Sequence, residues 1–441
     1  MTRARPRHPR VRRLRGAGLT ALLAALAMIG PFATDSYLPA LPHVARAFGV
    51  GDESAQMTLS AYLMGYAAMT LLYGTLSDAF GRRPVIVGGL AIFTLASAGA
   101  AASPSFGALL AWRVLQGLSA GAGIVVGQAI VRDRFRGAAV QRMLSNIMMV
   151  FALAPAAAPV VGGQLDAHWG WRSIFALLAL FAAALLAACL RWLPESLAPE
   201  HRQPWRPRAL ARHYASALRH RRFVLGIVAN GCAFGGFALY ISCAANFVMH
   251  VLHRPATAFA WLFVPMIAGV MLGSAASARL ATRAGAAASV RVGLGTAWLA
   301  ALINLASNAH GAAALPWAVV PIGVYAFGMG IAMPGMSAIT QAHLPHARGL
   351  AASLQSFVQM ALFACIAAAA PHFVFDSAWR MALAHAGAVT LGALCWWRAV
   401  APASMAAATP AVTSAATPAI APDPRGHQAA IRPQTRSRPE I

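Results

Sequence analysis

The ten residues "GTLSDAFGRR", Gly74 to Arg83, decide how this chain is built. They place one carboxylate and two arginines between two long apolar stretches, roughly 55–77 and 84–103. Each stretch is close to the ~20 residues a helix needs to cross the hydrocarbon of a bilayer. A charged turn between two such stretches marks a point where the chain leaves the membrane and enters it again. Outward from there, apolar windows recur at 16–38, 105–131, 141–165, 171–193, 223–249, 257–280, 288–309, 314–340, 348–372 and 378–400. Twelve membrane-spanning helices are therefore expected, in an all-α membrane protein. Strands of a membrane barrel would be shorter and would alternate apolar with polar residues, which these windows do not.

Composition agrees. Of 441 residues, 59% are hydrophobic and only 10% are charged, and mean hydropathy is +0.62. Soluble domains carry about 25% charged residues. The formal charge is +24, and all 35 basic residues are arginine. In a soluble domain such a balance would point to nucleic acid; here the arginines lie between apolar windows and read as topology signals, so no nucleic-acid partner is expected. With a cytoplasmic N-terminus and alternating windows, thirty arginines fall inside and four (Arg46, Arg172, Arg254 and Arg380) fall outside. That bias places both termini in the cytoplasm. The arginine-rich start followed by an apolar run could be taken for a signal peptide, but with eleven further windows an uncleaved first helix is expected.

The order along the chain is a basic segment 1–15, a six-window half 16–193, a basic linker 194–222, a second six-window half 223–400 and an Ala/Pro/Thr-rich tail 401–441, expected to be disordered. "GTLSDAFG" after the second window is echoed by "ARLATRAG", Ala278 to Gly285, after the eighth. The echo points to internal duplication, common in transporters.

The opening stretch resembles the G-x-L-x-D-R-x-G-R-R loop motif of the major facilitator superfamily, with Gly74, Asp78, Gly81, Arg82 and Arg83 in place and Ala79 where the family usually has arginine. The resemblance implies that Asp78, Arg82 and Asp133 form a charge cluster latching the outward-open state, weakened here by Ala79. "AWRVLQG" puts Arg113 inside a span, where an arginine is costly and must face the interior and find a partner. With Gln116 and Gly117 it resembles the family's R-x-x-Q-G motif, whose arginine is associated with proton coupling. "APVVGG", Ala158 to Gly163, with Pro155 upstream, resembles the P-x-x-G-G motif of proton-coupled exporters, through Pro159, Gly162 and Gly163. Ala158 stands where the family usually has glycine. Proline and glycine there bend a helix and let a neighbour approach.

"TDSYLPALP", Thr34 to Pro42, "FALYISCAANFV", Phe237 to Val248, and "RGLAASLQSFVQ", Arg348 to Gln359, are similar to the bicyclomycin and chloramphenicol (Bcr/CflA-type) drug-resistance branch of that superfamily. Asp35 is the one acid placed well inside a span, so a functional use is the default hypothesis. It is the candidate proton carrier, with Arg113 biasing the site, because arginine keeps its proton.

A cavity for lipophilic molecules wants aromatic rings with a few polar groups. The candidates are Tyr37, Tyr62, Tyr66, Gln116, Asn146, Asn230, Phe234, Phe237, Tyr240, Gln355 and Gln359. Asn230, Phe234, Phe237 and Ile241 share one helix face. The five cysteines lie in apolar stretches without C-x-x-C spacing, and His250 and His253 have no acid beside them, so no metal or other cofactor is expected. Eleven thinly spread acids argue against an enzyme. The expected function is proton-coupled export of small lipophilic drugs across the cell inner membrane by a monomer. A same-fold exporter of a native metabolite, such as an amino acid or sugar derivative, is the alternative.

Overall fold

A computed structural model of the protein describes residues 16–136, 138–309, 315–375 and 377–400. The expectations for segment 1–15 and for the tail lie outside the described residues. Helices dominate, and among the described residues there is no strand. The first part of the chain runs α1 (Gly16–Asp35), α2 (Leu41–Phe48), α3 (Asp52–Thr70), α4 (Tyr73–Phe80), α5 (Arg82–Ala101), α6 (Phe106–Ala120), α7 (Ala122–Arg134), α8 (Ala138–Trp169) and α9 (Arg172–Trp192). After α10 (Pro207–Leu218) come α11 (Arg221–Ser242), the single turn α12 (Ala244–Asn246), α13 (Ala260–Ala284), α14 (Ala286–Ala309), α15 (Val320–Ala342), α16 (Arg348–Val374) and α17 (Ala378–Val400).

Nine helices among the described residues are long and apolar enough to cross a membrane. The apolar windows that fall on α3, α8 and α17 are not among them. α3 opens on Asp52 and Glu53 and ends after 19 residues. α8 is 32 residues long, with Arg142 near its start, Asp166 near its end and an apolar stretch between them. α17 carries Arg380, His385 and Arg398. The outer faces of the helices are apolar: Leu95, Leu180 and Leu272 are each at least 60% exposed. In water such a surface would be a liability, and in a bilayer it is the solvated face. The protein is a multi-pass membrane protein.

Three windows expected as single spans contain breaks. The chain turns at Leu71–Leu72 between α3 and α4, at Gly121 between α6 and α7, and after α11, where Phe247–Val251 forms a π-helical turn. At the first break Thr70 Oγ1 bonds back to the Ala67 carbonyl at 2.6 Å. The Leu71 carbonyl accepts instead from the Tyr214 hydroxyl of α10, at 2.8 Å. No proline or glycine marks this break; its partner comes from 143 residues away. By contrast α8 stays helical through Pro155 and Pro159.

Packing joins distant parts of the chain. α3 packs on α6 and α16, α8 on α1 and α13, α11 on α16 and α17, and α15 on α13 and α14. In the last group backbones meet directly. A Cβ on Gly293 of α14 would fall 2.6 Å from the Gly328 carbonyl of α15, and one on Gly330 would fall 2.5 Å from the Val270 carbonyl of α13. Small residues allow this approach where no hydrophobic force favours helix association.

Candidate functional site

Two constellations of charge occupy the first nine helices. The deeper one surrounds Arg113 on α6, whose side chain is fully buried. An uncompensated guanidinium there would cost several kcal/mol. Its Nη1 donates to Gln116 Oε1 at 2.6 Å and to the Ala33 carbonyl at 3.4 Å, and its Nε donates to the Thr58 carbonyl at 3.3 Å. Gln116 is fixed in turn by donating to Ser97 Oγ at 2.8 Å. The guanidinium carbon lies 4.3 Å from the ring centre of Tyr62, 4.7 Å from Tyr37 and 5.8 Å from Phe175. Desolvated cation–π contacts contribute about 2 kcal/mol. The arginine therefore finds its partners in rings, carbonyls and an amide, and none of the ion pairs among the described residues includes it.

Asp35 is the last residue of α1 and only 4% exposed. It too enters none of the ion pairs among the described residues. Its surroundings are held rigidly. Tyr62 donates to the Gly30 carbonyl at 2.9 Å, Thr34 Oγ1 donates to the same carbonyl at 3.1 Å, and Tyr37 and Thr58 share a hydrogen bond of 2.8 Å. The residue after Asp35 is clasped by α8: a Cβ on Gly162 would overlap the Ser36 carbonyl and Cα. The P-x-x-G-G stretch thus packs against the turn that carries the acid. Pro159, Gly162 and Gly163 are buried there, and Pro155 is half-buried.

The second constellation joins the starts and ends of α4, α5, α7 and α9. Arg82 donates through Nη1 to Asp78 Oδ1 at 2.5 Å and to Ser77 Oγ at 2.6 Å, and through Nε to Asp133 Oδ2 at 3.0 Å. Arg83 Nη2 reaches the Leu190 carbonyl at 2.7 Å. The structure adds a residue that the sequence reading passed over, Glu195. Its carboxylate accepts from the backbone N–H groups of Arg82 at 3.0 Å and Arg83 at 3.1 Å, the open first turn of α5. Such a carboxylate satisfies helix-start donors and complements the dipole. Ser196 Oγ donates to Asp133 at 2.9 Å, which closes the ring. Gly81 has φ +101, and a Cβ there would lie 2.6 Å from Glu195 Oε2. Gly74 sits in the first turn of α4 with open space beside it. The signal for Glu195 was an acid beside a proline in an otherwise arginine-rich linker, "PESL".

The remaining candidates scatter. Asn230 donates to the Gly226 carbonyl at 2.8 Å and to Thr340 Oγ1 at 3.2 Å. Tyr240 accepts from Asn304 at 2.6 Å, and Gln355 donates to Ser337 at 2.6 Å. Phe234 and Phe237 are half-buried, with ring centres 5.9 Å apart, and Phe363 lies 6.0 Å from Phe234. Tyr66 and Gln359 are half-buried, and Asn146 is exposed on α8. Tyr37, Tyr62 and Gln116 belong to the Arg113 constellation, apart from the group on α11, α15 and α16. Among the described residues no group of three or more His, Cys, Asp or Glu side chains is gathered for a metal.

The sequence profile of the Major Facilitator Superfamily matches residues 21–368. The chain belongs to the major facilitator superfamily. Within it, the bicyclomycin resistance protein homolog of Haemophilus influenzae is 27% identical over 85% of this chain and 94% of its own length. The chloramphenicol resistance protein of Pseudomonas aeruginosa is 30% identical over 63% of this chain and 66% of its own. The branch resemblance read from "TDSYLPALP" agrees with these two relatives. Among solved structures, the human organic anion transporter MFSD10 superposes with a TM-score of 0.63 at 21% identity, over 88% of this chain and all of that one. The D-xylose–proton symporter superposes at 0.65 with 15% identity, over 86% and 97%. At these identities the likeness speaks for the major facilitator fold alone.

Proposed function

We propose that this chain exports small lipophilic drugs from the cytoplasm in exchange for protons. The observation that carries the reading is Asp35: a carboxyl 4% exposed, outside the ion pairs of the described residues, on a turn clasped by Gly162 of the exporter motif. A carboxyl so placed can take up a proton and give it back, which an arginine cannot do. Arg113, its charge spread over Tyr37 and Tyr62, lies close by, since its guanidinium reaches the Ala33 carbonyl. The similarity to bicyclomycin and chloramphenicol resistance proteins favours drugs as the cargo.

In this reading twelve helices form two six-helix bundles around a central route, with both termini in the cytoplasm of the cell that bears it, and the protein works as a monomer in the inner membrane. Aromatic residues such as Phe234, Phe237 and Tyr66, with Gln355 and Gln359, line the route. The Asp78–Arg82–Asp133 cluster is the inner latch, reinforced by Glu195 in compensation for Ala79. A susceptibility panel in a host stripped of its own exporters tests the function: resistance to lipophilic drugs, abolished by an uncoupler, is the expected result. Unchanged susceptibility alongside efflux of an amino acid or sugar derivative would replace it. Reporter fusions after Arg222 and after residue 400 test the topology, and a periplasmic signal at either point would defeat it.

A further inference from the structure

Between α3 and the α11–α12 segment lies a small cleft that the transport reading leaves without a role. Ser242, 1% exposed, lines it with an Oγ that meets no partner among the described residues. Asn246 of α12 lines it too, with a buried Oδ1 equally unpartnered. Buried polar atoms without partners are rare and ask for an occupant. Across from them, Asp52 in the first turn of α3 adds a carboxylate that enters none of the ion pairs of the described residues. The opposed walls are pinned by Gln56, whose Nε2 donates to the Ser242 carbonyl at 3.0 Å. That contact uses one of the amide's donors; the unpartnered atoms at the cleft are the oxygens of Ser242 and Asn246, and the His250 imidazole lines it as well. Leu41, Ala55 and Phe375 supply its apolar sides.

We propose that this cleft binds a primary alkylammonium group. Such a group carries three N–H donors, one each for Ser242, Asn246 and Asp52, and a positive charge that Asp52 answers. Its first carbons would rest on Leu41, Ala55 and Phe375. The start of a helix disfavours a cation; Asp52 and Glu53, both in that first turn, offset the field. The cleft admits a head group and its first carbons, not a drug-sized molecule. An occupant bridges α3 and α12 and holds them together. None of this depends on the export reading, because binding to the purified protein is the measured quantity.

The test is thermal unfolding and titration calorimetry of the detergent-purified chain with n-butylammonium, tetramethylammonium and n-butanol. Saturable binding and a concentration-dependent stabilisation by n-butylammonium alone are expected. Asp52→Asn should weaken it about tenfold or more, as loss of a charged hydrogen bond does, and Ser242→Ala should weaken it several-fold. Asp52 is exposed, so Asp52→Asn should fold and melt as the unliganded parent does. Equal binding of tetramethylammonium, which has no N–H to donate, would overturn the proposal. So would retention of full affinity in Asp52→Asn, or no saturation by n-butylammonium.

Discussion

Replacing Glu195 with alanine removes the acceptor of two backbone N–H groups at the start of α5, those of Arg82 and Arg83. It also removes the carboxylate that accepts from its own following residues, Ser196 at 2.9 Å and Leu197 at 3.0 Å. Loss of a helix-start cap costs about 1 kcal/mol, within a range of about 0.5–2. Loss of the negative charge at the helix start adds about 0.3–1 kcal/mol. The first turn of α5 should therefore open more easily by about 1–3 kcal/mol, which is about fivefold to about a hundredfold in an opening equilibrium. Amide hydrogen exchange of Arg82 and Arg83 in the purified protein reads that factor directly. Glu195→Gln keeps a carbonyl oxygen and loses only the charge, so its exchange should rise about two- to fivefold. The ordering of the two variants separates capping from electrostatics, and added salt should narrow the gap between wild type and Glu195→Gln. If Arg82 and Arg83 exchange at the wild-type rate in Glu195→Ala, the carboxylate does not hold the helix start, and the inner ring is no more than a set of surface contacts.

Three further outcomes follow from the same geometry. Asp35→Asn should abolish substrate-driven proton release in reconstituted vesicles while the chain still inserts, and Asp35→Glu should keep part of it; full coupling in Asp35→Asn would place the proton elsewhere. Asp78→Asn should slow transport several-fold, since it takes from Arg82 a charge-assisted contact that contributes about 1.5–3 kcal/mol, whereas Ala79→Arg should be tolerated; wild-type transport by Asp78→Asn would remove the latch. Gly162→Ala should destabilise the chain by about 1–3 kcal/mol, because its Cβ overlaps the Ser36 carbonyl; an unchanged melting temperature would show that α8 and the Asp35 turn yield freely.

Apolar run length answers to the solvent, and a bilayer is a demanding solvent, so the nine span-length apolar helices among the described residues were legible in the sequence. The windows 84–103, 171–193 and 378–400 end within a few residues of α5, α9 and α17. The break at Leu71–Leu72 was not legible, because the Leu71 carbonyl freed there is taken up by the Tyr214 hydroxyl of α10, and periodicity carries no record of a contact made 143 residues away. The meeting of Arg82 with Asp78 was implied by the resemblance of "GTLSDAFGRR" to the family's loop motif, while Glu195, 113 residues on from Arg82, lies outside that motif. Arg113 was expected to find a partner, and a partner in the form of aromatic faces is one that a search for opposite charges passes over. His250, set aside for want of an acid in sequence, shares the cleft with Asp52.

The glycine contacts of α15 have a consequence for motion. Where Gly328 faces Gly293 and Gly330 faces α13, backbone rests on backbone, with nothing larger than the Ala332 methyl beside the contact. Such a seam has no rotamers to exchange, so it cannot slide by the small repacking steps that let ordinary helix pairs shear. Moving α15 against α13 or α14 would require lifting whole carbonyls over one another. The three helices are therefore expected to move together along this seam, with Pro334 inside α15 the place where that helix can bend.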